Sequence, residues 1–506
     1  MTINPLFLCD FYKTDHRRQY PKGTEIVYSN FTPRSNKYAY KDSKEVVVFG
    51  IQYFIKEYLI KQWNEGFFRR DKKEVVDEYK SFMDKALGPG AIPVDHIEDL
   101  HDFGYLPIML KALPEGTLCP IGVPCLTIVN TSDKFFWLTN YLETLLSNIL
   151  WKPMTSATTA FMYRKEFERH AKLTGSPKDF IGWQGHDFSM RGMSGIEDAC
   201  MSGGGHLLSF NGTDSVPAIA WMKEYYPSDD FIGGSVPATE HSVMSLGGEG
   251  VGEFETFKRL ITETYPKGII SIVSDTWDFW KVMTDYLPRL KKEIEARDGR
   301  VVIRPDSGDP VDIICGKNTK GLPFKRPYSE MGDMYKYINS EAVHKGAYEL
   351  LWDTFGGTVN SQGYKVLNPK VGLIYGDSIN YDRQREILSK LEAKKFTASN
   401  LVLGIGSFTY EFVTRDTYGF AMKATWGQVN GVGKDIFKDP KTDDGLKKSA
   451  KGLLQVIRHE DNTLTLKDQV TWGEEQTSAL KVVFFNGDGG FMESLTSIRH
   501  RLKSQL

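Results

Sequence analysis

The sequence predicts an α/β protein: an irregular α/β barrel carried by the middle of the chain, plus a discontinuous α+β domain built from both chain ends. Three observations lead there. Short apolar runs end abruptly in Asp, Ser, Gly or Arg, as in Val301–Pro310 (VVIRPDSGDP), Ile269–Asp278, Val371–Asn380 and Leu401–Tyr410. Buried parallel strands read as continuous β-branched runs, and their polar ends converge on one mouth. The first 180 residues instead alternate helices with hairpin-like segments, and the sequence turns β-like again after Arg415.

In chain order, residues 1–40 are dense in polar and aromatic side chains, among them Asp10, Tyr12, Lys13 and His16. Val46–Gly50 reads as a strand entering a helix over Ile51–Trp63, a charged helix follows to about Ala86, and GPGAIP breaks it. Leu106–Thr131 has the turns of a small antiparallel unit, and two helices are expected over Phe135–Trp151 and Ser156–Leu173. From Asp179 the texture changes. IGWQGHDFSMRG, HLLSFNGTD and GGSVPATEHS join the four runs above to make about seven strand–loop–helix units over roughly 230 residues, the size of an α/β barrel. The stretch Gly316–Gly363 is polar and reads as a peripheral insertion. The domain reading is 1–180 and 411–506 for the two parts of the α+β domain, with 181–410 as the catalytic barrel.

Composition bounds the partners. Hydrophobic residues at 41% and charged residues at 25% are globular values, and 506 residues exceed one ordinary core. A net charge of −2 argues against nucleic acid or an anionic membrane as a partner. The five cysteines lack metal-finger spacing, and no run approaches the roughly 18 apolar residues of a membrane span. With no signal-peptide pattern at the amino terminus, a cytoplasmic location is expected.

The polar strand ends carry chemistry. Arg191, Arg304, Arg415, Lys423 and Lys438 beside Asp275, Asp306 and Asp377 would suit a ligand combining phosphates and ribose: guanidinium forks pair with phosphate oxygens, and carboxylates take hydroxyls or Mg²⁺. The loop Gly404–Ser407 follows the last barrel run, where barrels often hold a phosphate. Asp, Ser and Gly also punctuate ordinary turns, so one such end would mean little; four ends mean more. His241 is the best of ten histidines for covalent or acid–base work, because Glu240 beside it and a nearby Asp275 could fix its tautomer.

NPLFLCDFYKTDH, HDFSMRG, FNGTD, SVPATEHS, VSDTWD, IRPDSGDP, YGDS, GIGSFTYEFVTRD and IFKDP follow in order over essentially the whole chain. Together they resemble the nicotinamide phosphoribosyltransferase family, one of the type II phosphoribosyltransferases. That resemblance implies transfer of a 5-phosphoribosyl group from 5-phosphoribosyl 1-diphosphate to nicotinamide, in NAD salvage, by a homodimer with shared active sites. It implies that Phe188 stacks on the nicotinamide ring with Tyr12 of the other subunit opposite. Asp214 would accept from the carboxamide, which a carboxylate there would favour over nicotinic acid. Arg304, Asp306, Gly376 and Asp377 would hold ribose and its phosphate near Gly406 and Ser407, while Arg191, Arg415, Lys423 and Lys438 neutralise phosphates. Asp10, His186, Ser235 and Pro305 fall in the same motifs as substrate-binding positions. His241, with Asp275 and Glu240 beside it, would be phosphorylated by ATP, and Mg²⁺ would be held mainly by the substrate diphosphate.

Two stretches depart from the family pattern: Ser189-Met190 stand for a Gly-Tyr pair, and Gly406-Ser407-Phe408 for the three glycines of the animal enzymes, both as in a bacterial or phage-like branch. The rival readings are a nicotinate phosphoribosyltransferase, against which Asp214 argues, and a non-catalytic nucleotide-binding or signalling protein, against which His241, Arg304 and Asp306 argue.

Overall fold

The structure, a computed structural model, describes residues 3–228, 230–317, 341–376, 378–437, 450–490 and 492–506. Asp377, Lys438 and residues 318–340 of the expected insertion lie outside the described residues.

By contacts the chain divides into two compact units. One takes Met1–Thr158, Ala220–Phe231 and Val413–Gln505; the other takes Thr159–Ile219, Ile232–Phe412 and Leu506. The first division falls inside the helix Glu143–Thr174 rather than at residue 180. Two helices were expected where this single helix of 32 residues runs. Pro153 sits inside it, removing one backbone donor without ending the helix. Its flanks explain why: Leu150, Met154, Ala157 and Ala160 are all fully buried, and their burial outweighs one lost bond.

The unit holding both chain ends is organised on a seven-stranded antiparallel sheet. Its order is Val432–Asp435, Ala421–Val429, Thr24–Thr32, Leu126–Asn130, Ile108–Ala112, Lys481–Phe485 and Asp488–Gly489. Thr24–Thr32 lies between a late strand and an early one, which is the discontinuous α+β domain the sequence implies. Helix Lys72–Leu87 begins at Asp71, whose side chain accepts from the Glu74 N–H, and stops at Gly88 in the GPGAIP break.

The other unit is built on a six-stranded all-parallel sheet, in the order Gly212–Thr213, Gly185–Asp187, Leu401–Ile405, Val371–Tyr375, Asp298–Arg304 and Lys267–Val273. Its two edges are joined through the stretch 234–238. Gly234 bridges to Gly212 and Ala238 to Ser271, both in parallel sense. Seven segments therefore close a ring in chain order, each of them one of the apolar runs singled out in the sequence. Alternation sorts the side chains: Val301, Ile303, Leu373, Leu401 and Leu403 are fully buried on one face, whereas Val302, Ile374 and Val402 cluster on the other against Phe180 and Phe188.

The expectation that Gly316–Gly363 is peripheral needs correcting in its second half. Helix Ala347–Phe355 buries Ala347, Tyr348 and Leu351 completely, and the Tyr348 hydroxyl donates to the Thr397 carbonyl at 2.9 Å. Polar neighbours around it hid a one-sided apolar stripe at helical spacing.

Candidate active site

The barrel unit holds two adjoining cavities, one inside the ring and one at the carboxyl ends of its strands. One, of about 400 Å³, is the apolar lumen, lined by Phe180, Trp183, Val236, Val302, Ile374 and Val402 and bounded at its polar end by His186, Asp214 and Arg304. The other, of about 680 Å³, is polar and lined by Arg191, Asp306, Gly376, Gly406, Ser407 and Phe408. Phe188, Asp214 and Arg304 border both. A flat apolar group and a polyanionic one can therefore be held side by side.

Asp214 is the hinge of that arrangement. Its Oδ1 accepts from His186 Nε2 at 2.8 Å and from the Ser235 hydroxyl at 2.6 Å. Among the described residues its Oδ2 has no hydrogen-bond partner, so one oxygen is fixed and the other is left to accept from a ligand. Burial works to raise its carboxyl pKa, but the hydrogen bonds from His186 and Ser235, helped by His186 and Arg304 nearby, hold it below the ordinary value. Asp214 is thus a carboxylate at neutral pH.

Phe188 follows strand Gly185–Asp187, and its N–H donates to the Ile405 carbonyl at 3.0 Å. The ring stands 4.6 Å from that of His186, tilted by 38°. Two glycines make room for it. A Cβ on Gly404 would lie 2.6 Å from Phe188 Cδ2, and one on Gly376 would lie 2.9 Å from an Asp306 carboxylate oxygen.

The motif Val301–Pro310 splits into two jobs. Asp306 lines the polar cavity, and its N–H donates to Asp275 Oδ2 at 3.0 Å. Asp309 instead caps helix Pro310–Cys315, its Oδ1 accepting from the Val311 and Asp312 N–H groups. Pro305 is buried beneath the loop. Arg304 donates to the Thr239 carbonyl through one terminal nitrogen, and its Nε is buried without a partner among the described residues. An orphaned guanidinium N–H beside a polar cavity suits an incoming oxyanion.

His241 opens helix His241–Gly247 and is half-exposed. Its Nδ1 is within 3.1 Å of the Thr276 hydroxyl, and its Nε2 stands 3.9 Å from Asp275 Oδ1, a buried oxygen with no hydrogen-bond partner among the described residues. Glu240 is engaged elsewhere, accepting from the Ser242 hydroxyl. Among the described residues, no group of three or more His, Cys, Asp or Glu is placed to hold a metal ion alone. One or two carboxylates such as Asp306 can still complete the shell of a Mg²⁺ carried by phosphates.

Four expected site residues belong to the other unit. Asp10 accepts from the Thr144 hydroxyl at 2.7 Å, and Tyr12 is 59% exposed with the Lys13 ammonium 5.0 Å from its ring centre. Arg415 lies 3.3 Å from Asp416, and Lys423 lies 3.7 Å from Glu143.

The chain matches two family models: the nicotinate phosphoribosyltransferase (NAPRTase) family over residues 183–487, and the nicotinamide phosphoribosyltransferase N-terminal domain over residues 4–108. It is 54% identical to a nicotinamide phosphoribosyltransferase of Acinetobacter baylyi, covering 100% of this chain and 98% of that one. The chain belongs to the nicotinamide phosphoribosyltransferase family. A second relative, from Mycoplasma pneumoniae, carries the same name and is 33% identical over 87% of this chain and 93% of its own. The crystal structure of human nicotinic acid phosphoribosyltransferase superposes with a TM-score of 0.54 at 14% identity, covering 98% of this chain and 93% of that one. That likeness shows the type II phosphoribosyltransferase fold.

Both departures from the family pattern have a structural account. The Ser189 hydroxyl turns inward to Asp187 Oδ1 at 2.7 Å and so leaves the cavity wall unchanged, whereas Met190 lines the polar cavity. The Phe408 ring is 52% exposed and packs 4.9 Å from Phe412, while Gly406 keeps open space where a Cβ would be. Sequence reasoning missed Thr276, Thr239 and Asp187. All three sit inside quoted motifs, VSDTWD, SVPATEHS and HDFSMRG; the first two read as spacers beside Asp275 and Glu240, and Asp187 as a polar strand end.

Proposed function

We propose that this enzyme transfers the 5-phosphoribosyl group of 5-phosphoribosyl 1-diphosphate to the ring nitrogen of nicotinamide, giving nicotinamide mononucleotide and diphosphate, and that it does so in NAD salvage. The observation that carries the reading is the state of Asp214: a fixed carboxylate with one oxygen spare, at the junction of an apolar slot and an anion-binding cavity. A carboxamide NH₂ donates to that oxygen, and the carboxylate of nicotinic acid is repelled by it.

In this reading the ring lies against Phe188, and the ribose and its phosphate lie over Asp306, Gly376 and the Gly406–Ser407 turn, beside Arg304 and Arg191. Asp377, Arg415, Lys423 and Lys438 are assigned to the same substrate by their motifs. Breaking the C1–O bond leaves oxocarbenium character on the ribose, so in-line placement of the ring nitrogen does much of the catalytic work. Mg²⁺, when bound to the diphosphate, would neutralise charge building on the leaving group. Charge on Asp275 and Asp306 stabilises the cationic sugar.

Two finer roles belong to the proposal. ATP would transfer its γ-phosphoryl group to an imidazole nitrogen of His241, releasing ADP, and Asp275 Oδ1 beside Nε2 supports that role by stabilising an imidazolium. Asp10 and Tyr12 would act from the partner subunit of a homodimer. The test is product analysis with nicotinamide and with nicotinic acid, each with 5-phosphoribosyl 1-diphosphate, with and without ATP. Nicotinamide mononucleotide from the amide, formed faster with ATP, is expected; strong preference for the acid would overturn the assignment.

A further inference from the structure

We infer that Asp187 is a positioning residue that sets Phe188 and Asp214 in one fixed relation, with Ser189 and Thr213 as the hands of the clasp; the inference rests on the nicotinamide reading of that site. Asp187 ends strand Gly185–Asp187, has no exposed surface, and pairs with no lysine or arginine among the described residues. A buried carboxylate without a counter-ion is costly unless its oxygens are filled by donors. Here they are. Oδ1 accepts from the Ser189 N–H at 2.9 Å and the Ser189 hydroxyl at 2.7 Å, and Oδ2 accepts from the Thr213 hydroxyl at 3.0 Å.

What those donors are attached to gives the carboxylate its function. Ser189 follows Phe188, so the first two bonds fold the turn that aims the ring. Thr213 precedes Asp214, and its oxygen in turn accepts from the Ser215 N–H at 2.9 Å, so the residues on both sides of Asp214 hang from Asp187. The main chain repeats the tie, since the Asp214 N–H donates to the Asp187 carbonyl at 3.0 Å. Because Thr213 donates to a charged oxygen, its hydroxyl is polarised and accepts more strongly from Ser215.

The floor beneath is built to the same end. A Cβ on Gly203 would lie 3.2 Å from Asp187 Oδ2 and 2.5 Å from the Ala218 methyl, so glycine lets helix Ile196–His206 close over the carboxylate. At that helix's end His206 is fully buried, with Nε2 at 2.9 Å from the Gly212 carbonyl and Nδ1 at 2.8 Å from the Tyr410 hydroxyl. That pattern fixes the neutral tautomer, with Nε2 donating, and holds strand Gly212–Thr213 from below. The Ser189 hydroxyl completes the set as the third donor to Asp187.

Neither Thr213 nor Ser189 lines either of the two cavities described above, so their variants report on the clasp and not on lost substrate contact. Thr213→Val is isosteric and removes one donor to the carboxylate. It is expected to raise KM for nicotinamide about tenfold, the effect of one hydrogen bond to a charged group. KM for 5-phosphoribosyl 1-diphosphate should stay within about twofold, and Thr213→Ser should restore the nicotinamide KM. A lowered melting temperature with both KM values unchanged, an equal rise in both, or a Ser variant no better than Val would overturn the inference. If Thr213→Val does not fold, Ser189→Ala carries the same expectation, and an unmoved nicotinamide KM there overturns it. A parent enzyme inert toward nicotinamide removes the reading beneath the inference and the inference with it; an active parent with unmoved variants overturns the clasp alone.

Discussion

Replacing Asp214 by asparagine keeps Oδ1, with its bonds from His186 and Ser235, and turns the spare Oδ2 into a donor. Two consequences follow for the substrate. The carboxamide NH₂ loses a charge-assisted hydrogen bond worth about 1.5–3 kcal/mol, or roughly ten- to a hundredfold in kcat/KM for nicotinamide. Nicotinic acid loses a repulsion. Two carboxylates about 4 Å apart at an effective dielectric of about 20 repel by about 4 kcal/mol. The Asp214 side chain is 46% exposed, so solvent screening reduces this to about 1–2 kcal/mol, roughly tenfold in favour of the acid. The ratio of kcat/KM for amide over acid should therefore fall by about two to three orders of magnitude. The assay is initial-rate measurement of diphosphate release with each pyridine at saturating 5-phosphoribosyl 1-diphosphate. A ratio unchanged within about threefold, with the variant folded, would refute Asp214 as the discriminating group.

Further outcomes follow from the same geometry. His241→Ala should abolish stimulation by ATP and leave a slow basal reaction, read from turnover with and without ATP; an undiminished ATP response would rule out a phosphohistidine there. Gly404→Ala places a methyl 2.6 Å from Phe188 Cδ2 and 2.9 Å from the Gly376 Cα, so it should cost about 1–3 kcal/mol of stability and raise the nicotinamide KM more than that of the phosphoribosyl donor. Denaturation midpoints and paired KM values check it. His170 is buried with neither ring nitrogen partnered among the described residues, and burial lowers its pKa to about 4. Because the unfolded chain takes up this proton from pH ~6.5 downward and the folded one only near 4, its contribution is intact above ~6.5 and is lost as pH falls toward 4, by about 3 kcal/mol. His170→Phe should flatten the acid limb of the stability–pH curve; an unchanged limb would show that His170 does not titrate on unfolding.

The barrel was legible because its six strands and the bridging stretch 234–238 are β-branched or Gly-containing runs that end in polar punctuation, a pattern that survives any tertiary context. Residues whose role is set by a neighbour far along the chain were not. Asp187 reads as one more polar strand end, and only the parallel pairing of Gly185–Asp187 with Gly212–Thr213 sets Thr213 opposite it. Asp306 and Asp309 look alike in sequence, yet Pro310 makes Asp309 a helix cap and leaves Asp306 for the cavity. The apolar lumen was missed because Phe180, Trp183 and Val302 read as ordinary core, the last two inside stretches noted only for their polar ends. The helix through Pro153 was missed because proline is a breaker on average, and burial on both sides of it is not a local property.

The most direct test of the central claim is a structure of the enzyme with nicotinamide mononucleotide bound. The pyridine ring should lie against Phe188, with its carboxamide nitrogen about 3 Å from Asp214 Oδ2 and its phosphate at the Gly406–Ser407 turn. A mononucleotide seated elsewhere, or turned so that Asp214 faces the carbonyl oxygen, would contradict it.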